Sequence, residues 1–232
     1  MNATEFSPAT QTPLRAVLWD MDGTLLDSSR YHWESWREAL AAENYQLTKE
    51  SFTSFFGQRN DTIMRALFGE DYPAGEIKRV SDFKESRYRN LLREGGVELL
   101  PGVGRWLRRL QSENWRQAIA SSAPLLNIEA ILDVLGIRDC FAAVVTAEDV
   151  ERGKPDPQVF LRAAAKVNVP PARCVVVEDA PAGVEAGRRG GMRTIGVLSE
   201  HPTLQADIVV RTLEELPDSA FDDLLAGDAP SF

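Results

Sequence analysis

VLWDMDGTLLDS, residues 17–28, begins as an apolar run and then delivers Asp20, Asp22 and Asp27 within eight residues, with Gly23, Thr24 and Ser28 among them. With Arg15 and Ala16 ahead of it, the run RAVLWD is short and apolar, as a strand buried on both faces is, and it ends at Asp20. If the backbone stays extended past that point, Asp20 and Asp22 face one side while Met21 faces the other. Neighbouring carboxylates repel, so the pair requires a cation or a shared proton. Gly23 then permits a tight turn or a positive φ, which lets the backbone approach a ligand closely.

Five further runs have the same strand character: RQAIASS at 116–122, CFAAVVT at 140–146, RCVVVED at 173–179, RTIGVL at 193–198 and ADIVV at 206–210. Between them lie the helical patterns GVGRWLRRLQSEN, APLLNIEAILDVLG, DPQVFLRAAAKVN and APAGVEAGRRGG. Strands that are apolar along their length and alternate with helices predict an α/β protein with an open parallel, Rossmann-like sheet covered on both faces.

One segment breaks the alternation. From residue 29 to 95 there is no strand pattern, only the helical stretches YHWESWREALAAEN, TKESFTSFFG, NDTIMRALFG and AGEIKRVSDFKESRYRNLLRE. The expected organisation is therefore an α/β core of residues 15–28 and 96–225, with an inserted α-helical cap domain at 29–95 and tails at 1–14 and 226–232. The linkers fall near residues 25–29 and 94–101, which places the insert over the end of the first strand.

Bulk composition limits what the acids can be doing. The chain has 232 residues, 44% of them hydrophobic and 26% charged, which suits a globular protein with a full core. A formal charge of -9 argues against nonspecific nucleic-acid binding, which needs a net basic surface. The first residues hold no apolar core of signal-peptide length, and no run reaches the ~18 apolar residues of a membrane helix. The expectation is a cytoplasmic protein with no membrane or nucleic-acid partner, and the sequence names no protein partner. Cys140 and Cys174 could form one bridge, but Cys174 sits in CVVVE, where a small buried thiol fits, and neither is assigned chemistry.

A second acidic pair, Glu178 and Asp179, ends another strand run, RCVVVED. One such pair commonly caps the next helix or faces solvent. Two pairs, both at strand ends, favour a Mg²⁺ site, because that ion takes hard oxygen ligands together with waters and a substrate phosphate. In an open parallel sheet, ligands gather at the carboxyl ends of the strands. Ser121 and Ser122 end a strand run just before a helix, where free backbone N–H groups attract anions. Lys154, in ERGKPDP, sits on a short turn ahead of another helix.

These pieces in this order, Asp20-Met21-Asp22-Gly23-Thr24, then Ser121, then Lys154, then Glu178-Asp179, resemble the haloacid dehalogenase-like superfamily of phosphohydrolases over about residues 15–210. The insert after the first motif, Lys154-Pro155 before a helix, and EDAPAGVEA resemble the subgroup of β-phosphoglucomutase and small-metabolite phosphatases. The resemblance implies that Asp20 is the nucleophile, forming an aspartyl-phosphate, and that Asp22 is the general acid and base. It implies that Lys154, Ser121 and nearby N–H groups, including those around Ser122, Gly23 and Thr24, stabilise the phosphoryl group. Mg²⁺ would be held by Asp20, the Asp22 carbonyl and Asp179, with Glu178 as a direct or water-mediated ligand. Asp22 separates these phosphoryl-transfer enzymes from the dehalogenases, which lack it and the metal.

In the insert, His32, Trp36 and Lys84 match positions of the mutase cap, although Trp33 and Trp36 also suit core packing and Lys84 a solvated helix face. Gly57, Arg59 and Asn60 lie on a cap loop, FFGQRNDTI, whose length differs from the mutase loop, so either Arg59 or Asn60 could face a substrate. Thr24 is usual in the phosphatases of that group, where the mutases often carry valine. Pro124 and Leu125 stand where the mutase has a lysine and an asparagine. The reading implied is a Mg²⁺-dependent phosphatase of a small phosphorylated metabolite such as a sugar phosphate, with a phosphosugar mutase as the alternative. Phosphoaspartate signalling modules and non-catalytic binding modules form another class, but a receiver domain is about half this length and has no such insert.

Overall fold

The computed structural model describes residues 13–199 and 201–227. Six strands form one sheet in the order β3-β2-β1-β4-β5-β6, every neighbouring pair parallel. They are β1 (Ala16–Trp19), β2 (Arg116–Ala120), β3 (Ala143–Val145), β4 (Cys174–Glu178), β5 (Arg193–Val197) and β6 (Ile208–Val210). Each lies within one of the six apolar runs. The fold is an open parallel Rossmann-like sheet.

Sheet burial follows a period of two. Val17 and Trp19 point into one apolar layer, where α5 (Val103–Ser112), α6 (Leu125–Leu135) and α9 (Ala220–Ala226) pack. Ala16 and Leu18 point into the other, beneath α7 (Gln158–Lys166) and α8 (Pro181–Arg189). β1 has no exposed residue because both faces and both edges are covered. Helix α5 shows why these segments are helical: Val103, Trp106, Leu107 and Leu110 recur at i, i+3, i+4 and i+7 and are all buried. Gly102 precedes it at φ +85, and an added Cβ there would lie 2.6 Å from the Glu214 amide nitrogen.

Four helices lie between β1 and α5: α1 (Ser29–Ala42), α2 (Lys49–Phe55), α3 (Asn60–Phe68) and α4 (Ala74–Gly95). Three of them have a recognisable boundary: Thr48 accepts a hydrogen bond from the Ser51 amide at the start of α2, and α3 and α4 end at Gly69 and Gly96 with positive φ. They share an apolar cluster of their own, built around Trp36, Leu40, Phe52, Phe55, Met64 and Val80. The chain leaves for these helices and returns from them side by side, with Leu26 bridged to Leu99 and the Leu100 amide bonded to the Leu25 carbonyl at 2.9 Å.

Helix α9 has no counterpart in the helical patterns read from the sequence; it is short, and its AFDDLLA offers less than two turns of periodicity. The tail expected at 226–232 begins inside α9, and residues 228–232, like residues 1–12 of the other tail, lie outside the described residues. No helix among the described residues is long and apolar enough to cross a membrane.

Candidate active site

The strand order reverses between β1 and β4, which places a crevice at their carboxyl ends. Asp20 follows β1, its amide donating to the Val177 carbonyl at 3.0 Å, and Glu178 ends β4 with Asp179 next. Carboxylate oxygens of Asp20, Glu178 and Asp179 all lie within 4.8 Å of one another, and all three residues are buried. Lys154 reaches in from the segment after β3, its side chain 6% exposed, and hydrogen-bonds the Asp20 carboxylate and, at 2.7 Å, Glu178 Oε1. Glu178 is fixed further by the Ala180 amide, which donates to Oε2 at 2.6 Å.

Three acids against one ammonium group leave this cluster short of positive charge. Burial pushes the Asp20 carboxyl up to about 7 against the pull of Lys154, with Glu178 and Asp22 adding repulsion. Burial, and then the charges of Glu178 and Asp20, also hold the Asp179 carboxyl well above the usual range. The same acids hold the Lys154 ammonium more firmly protonated than a free lysine, although burial alone would act the other way. A divalent cation with hard-oxygen preference fits this donor set, because it would supply the missing charge.

Two glycines make the cluster possible. A Cβ on Gly23, at φ +83, would sit 2.1 Å from Asp179 Oδ2, and one on Gly183 would sit 1.7 Å from Glu178 Oε1. Gly183 belongs to the first turn of α8 and lets that helix start directly over the Glu178 carboxylate.

Asp22 does not continue extended beside Asp20. The chain turns at once, with the Leu25 amide donating to the Met21 carbonyl at 2.8 Å and the Gly23 amide to the Leu26 carbonyl at 2.8 Å. The Asp22 carboxylate therefore stands outside the acidic triad and faces the helical insert. It accepts from the Ser28 hydroxyl, lies 3.3 Å from His32 Nε2 and receives the Tyr88 hydroxyl at 3.4 Å. Burial would raise its pKa, but His32, Ser28 and Lys84 outweigh that and hold it below the usual range.

Behind His32 the network continues into α4. Lys84, 1% exposed, lies 3.0 Å from His32 Nδ1 and donates to Glu85 Oε1 at 2.9 Å. Glu85 also accepts from Asn60 at 2.7 Å and from Asn127 of α6. Its carboxyl is held low by Lys84 and its other neighbours in spite of burial. The solvated face considered for Lys84 is thus excluded, because the residue lies on the buried stripe of α4.

One cavity of about 250 Å³ collects most of the expected residues: Asp20, Asp22, Ser121, Ser122, Lys154, Glu178 and Asp179 from the sheet side, and His32, Trp36, Gly57, Asn60 and Lys84 from the helices. Gly23, Thr24 and Arg59 do not line it. Gly23 backs the Asp179 carboxylate, and Thr24, fully buried, donates its hydroxyl toward Asp179 Oδ1 at 3.5 Å. Arg59 turns away from the cavity: its guanidinium donates to the Ala147 and Val150 carbonyls at 3.0 and 2.9 Å and to Asp61 at 3.0 Å. Its stem passes over Gly153, where a Cβ would come 2.9 Å from Arg59 Cδ. Of the two loop residues open to a substrate role, Asn60 alone faces the cavity. Ser121 points its oxygen inward to accept from the Ala123 amide at 3.1 Å.

Sequence reasoning missed Glu85, Asn127, Ser28, Ser199, Gly183 and His201. Ser199 donates to Asp179 Oδ2 at 2.8 Å, and His201 lines the cavity from the segment after β5. The two cysteines are unbridged, and burial pushes the Cys174 thiol up to about 12, which leaves it unreactive.

A family model described as haloacid dehalogenase-like hydrolase matches residues 14–191. The chain is 34% identical to β-phosphoglucomutase of Bacillus subtilis over 88% of its own length and 92% of that protein's. It is 32% identical to fructose-1-phosphate phosphatase YqaB of Escherichia coli over 78% of this chain and 95% of that one. The crystal structure of β-phosphoglucomutase from Clostridium difficile superposes with a TM-score of 0.81 at 26% identity, covering 92% of this chain and 98% of that one. The chain belongs to the haloacid dehalogenase-like hydrolases, in the group that holds the β-phosphoglucomutases and the sugar-phosphate phosphatases.

Proposed function

We propose that this haloacid dehalogenase-like phosphatase hydrolyses a small phosphorylated metabolite, a sugar phosphate in particular, through a phosphoryl group carried on Asp20. The observation that supports it most is the separation of the two motif aspartates. The Asp20 carboxylate stands at the sheet edge beside Lys154, while Asp22 is turned to His32, Ser28 and Tyr88. A nucleophile and a proton carrier need such different surroundings.

In the first step an Asp20 oxygen bonds to phosphorus as the ester oxygen leaves, and Asp22, protonated as the negative charge of the substrate enters beside it, gives that oxygen its proton. In the second, Asp22 takes a proton from a water molecule whose oxygen bonds to phosphorus, and the bond to Asp20 breaks to release inorganic phosphate. Lys154 and the Ser121 hydroxyl offset the negative charge of the phosphoryl oxygens in both steps. Asp20, Asp179, the Asp22 carbonyl and Glu178 would hold the proposed cofactor, Mg²⁺, which would supply further positive charge to those oxygens. Glu178, bonded to Lys154 and to the Ala180 amide, would complete the acidic set around that ion.

Residues 29–95 act in this reading as a cap, with Trp36, Gly57, Asn60 and Lys84 around the leaving group. Gly23 and Thr24 hold Asp179 in place and leave substrate contact to the cap residues.

A phosphosugar mutase is the second reading, favoured by His32 bridging Asp22 and Lys84, since a device that ties the proton carrier to the cap suits an enzyme that must shield its phosphoaspartate. The deciding assay supplies β-glucose 1-phosphate with a trace of glucose 1,6-bisphosphate and follows glucose 6-phosphate and free phosphate together. A phosphatase releases phosphate without need of the bisphosphate; glucose 6-phosphate accumulating far faster than phosphate replaces this reading with the mutase.

A further inference from the structure

Among the described residues lining the cavity, both lysines and His32 are engaged elsewhere, and His201 is the one remaining imidazole. Lys154 is bonded to Asp20 and Glu178 and belongs to the reacting phosphoryl group. Lys84 is sealed between Glu85 and His32, and His32 is bonded in turn to Asp22. Arg59, the one arginine of the cap loop, is latched to the carbonyls of Ala147 and Val150 and to Asp61, outside the cavity. Among the described residues lining the cavity stand five carboxylates, two lysines and two histidines, so the acids outnumber the cations even with both imidazoles protonated.

The wall facing the leaving group has a different chemistry. Trp36, Phe52, Phe55, Phe56 and Ile63 make it apolar and largely aromatic. Thr53, Ser54, Gln58 and Asn60 give it uncharged hydrogen-bonding groups, and Pro124 stands on the sheet side. Aromatic faces and amide or hydroxyl groups suit the C–H and O–H surfaces of a polyol. They give no counter-charge to a phosphate or carboxylate, which would enter beside Asp22 and Glu85 at the cost of its hydration.

We infer that the enzyme is selective for monophosphates with an uncharged polyol leaving group and discriminates against substrates bearing a second phosphate. This rests on the phosphatase reading above and narrows it to one class of sugar phosphate.

Matched pairs test it: fructose 1-phosphate against fructose 1,6-bisphosphate, and glucose 6-phosphate against glucose 1,6-bisphosphate, assayed for phosphate release with Mg²⁺. The expected result is a kcat/KM at least about 100-fold higher for the monophosphate of whichever pair is accepted, the scale on which a site rejects a group it cannot pair. Gln58→Arg, which places a cation on the uncharged wall, should narrow that gap by roughly ten-fold or more, with a rise in kcat/KM for the bisphosphate. Equal or faster turnover of the bisphosphates overturns the inference and leaves the phosphatase reading standing. Binding of the same four compounds to Asp20→Asn by calorimetry separates the two failures. If the wild type releases no phosphate from any of them, the phosphatase reading falls, while tighter binding of monophosphate than bisphosphate still upholds the selectivity. Equal binding, preference for the bisphosphate, or no binding overturns it.

Discussion

Two buried lysines, each beside carboxylates, sit on opposite walls of one cavity, and they differ in charge balance. At the sheet edge Lys154 faces Asp20, Glu178 and Asp179, and two of these carboxyls are pushed above their ordinary range. On the helical side Lys84 and His32 face Glu85 and Asp22, and both carboxyls are held below it. A cluster with surplus negative charge is incomplete until a cation arrives, whereas a balanced one is finished as it stands. The first is short of positive charge; the second fixes the Asp22 carboxylate and fastens α4 to α1 and α6.

Variants can break each side in its own way. The largest effect belongs to Asp20→Asn, which should lower turnover by about 10⁴-fold or more while leaving the fold intact, because an amide cannot form the phosphoenzyme. Phosphate release and circular dichroism check the two halves of that statement, and a trapped phosphoryl group or fluoride mimic should map by mass spectrometry to Asp20. Wild-type-like turnover in this variant removes Asp20 from the chemistry.

Metal removal comes next. A chelator should abolish phosphate release and Mg²⁺ restore it, and because the sheet-edge cluster lacks positive charge, Mg²⁺ should also stabilise the fold, by about 2.7 kcal/mol at 100 times its Kd. Asp179→Asn should remove most of that gain in thermal unfolding, whereas Glu85→Gln should keep it. Full activity in excess chelator, or equal Mg²⁺ stabilisation of the Asp179 variant, contradicts the contrast between the two clusters.

The balanced side should respond in stability. Lys84→Met strands Glu85 and Asp22 in a buried setting and should cost about 3 kcal/mol in a denaturant melt, as breaking one half of a buried pair does. Lys84→Met with Glu85→Gln should recover part of it. An exposed pair such as Lys78 with Asp82 offers the control, and its removal should cost no more than about 0.5 kcal/mol.

Smallest is Arg59→Lys, which keeps a charge but cannot donate in parallel to two carbonyls. A few-fold rise in KM for the substrate, at nearly constant kcat, is expected if Arg59 serves only to hold the helical side against the segment carrying Lys154. A collapse of kcat instead places Arg59 nearer the chemistry than its contacts indicate.

The two sides also differed in how far the sequence revealed them. Every strand of the sheet was legible, because a strand covered on both faces must be apolar along its length, and the carboxylates that follow β1 and β4 stand out against it. Lys154 was legible as a charge on a short turn. Glu85 was not, since α4 is polar overall and Lys84-Glu85 reads as an ordinary solvated pair. A signal was present: Ile77, Val80, Lys84, Tyr88 and Leu91 recur at helical spacing, so Lys84 occupies a position where an apolar residue belongs. Arg59 illustrates a stricter limit. Besides Asp61, its acceptors are main-chain carbonyls 88 and 91 residues away, and a carbonyl leaves no mark in the sequence.

The paired linkers carry a consequence for descent. Since the chain departs at Leu26 and returns at Leu99 as neighbours, what lies between can be lengthened, trimmed or exchanged without altering strand order or the placement of Asp20, Lys154 and Asp179. Most of the aromatic and amide wall of the cavity sits inside that replaceable stretch, and Asp20, Lys154, Glu178 and Asp179 sit outside it; in the proposed function the first meets the leaving group and the second the phosphorus. Inheritance can therefore act on what the enzyme accepts and on what it does as two separate traits, joined at one pair of leucines.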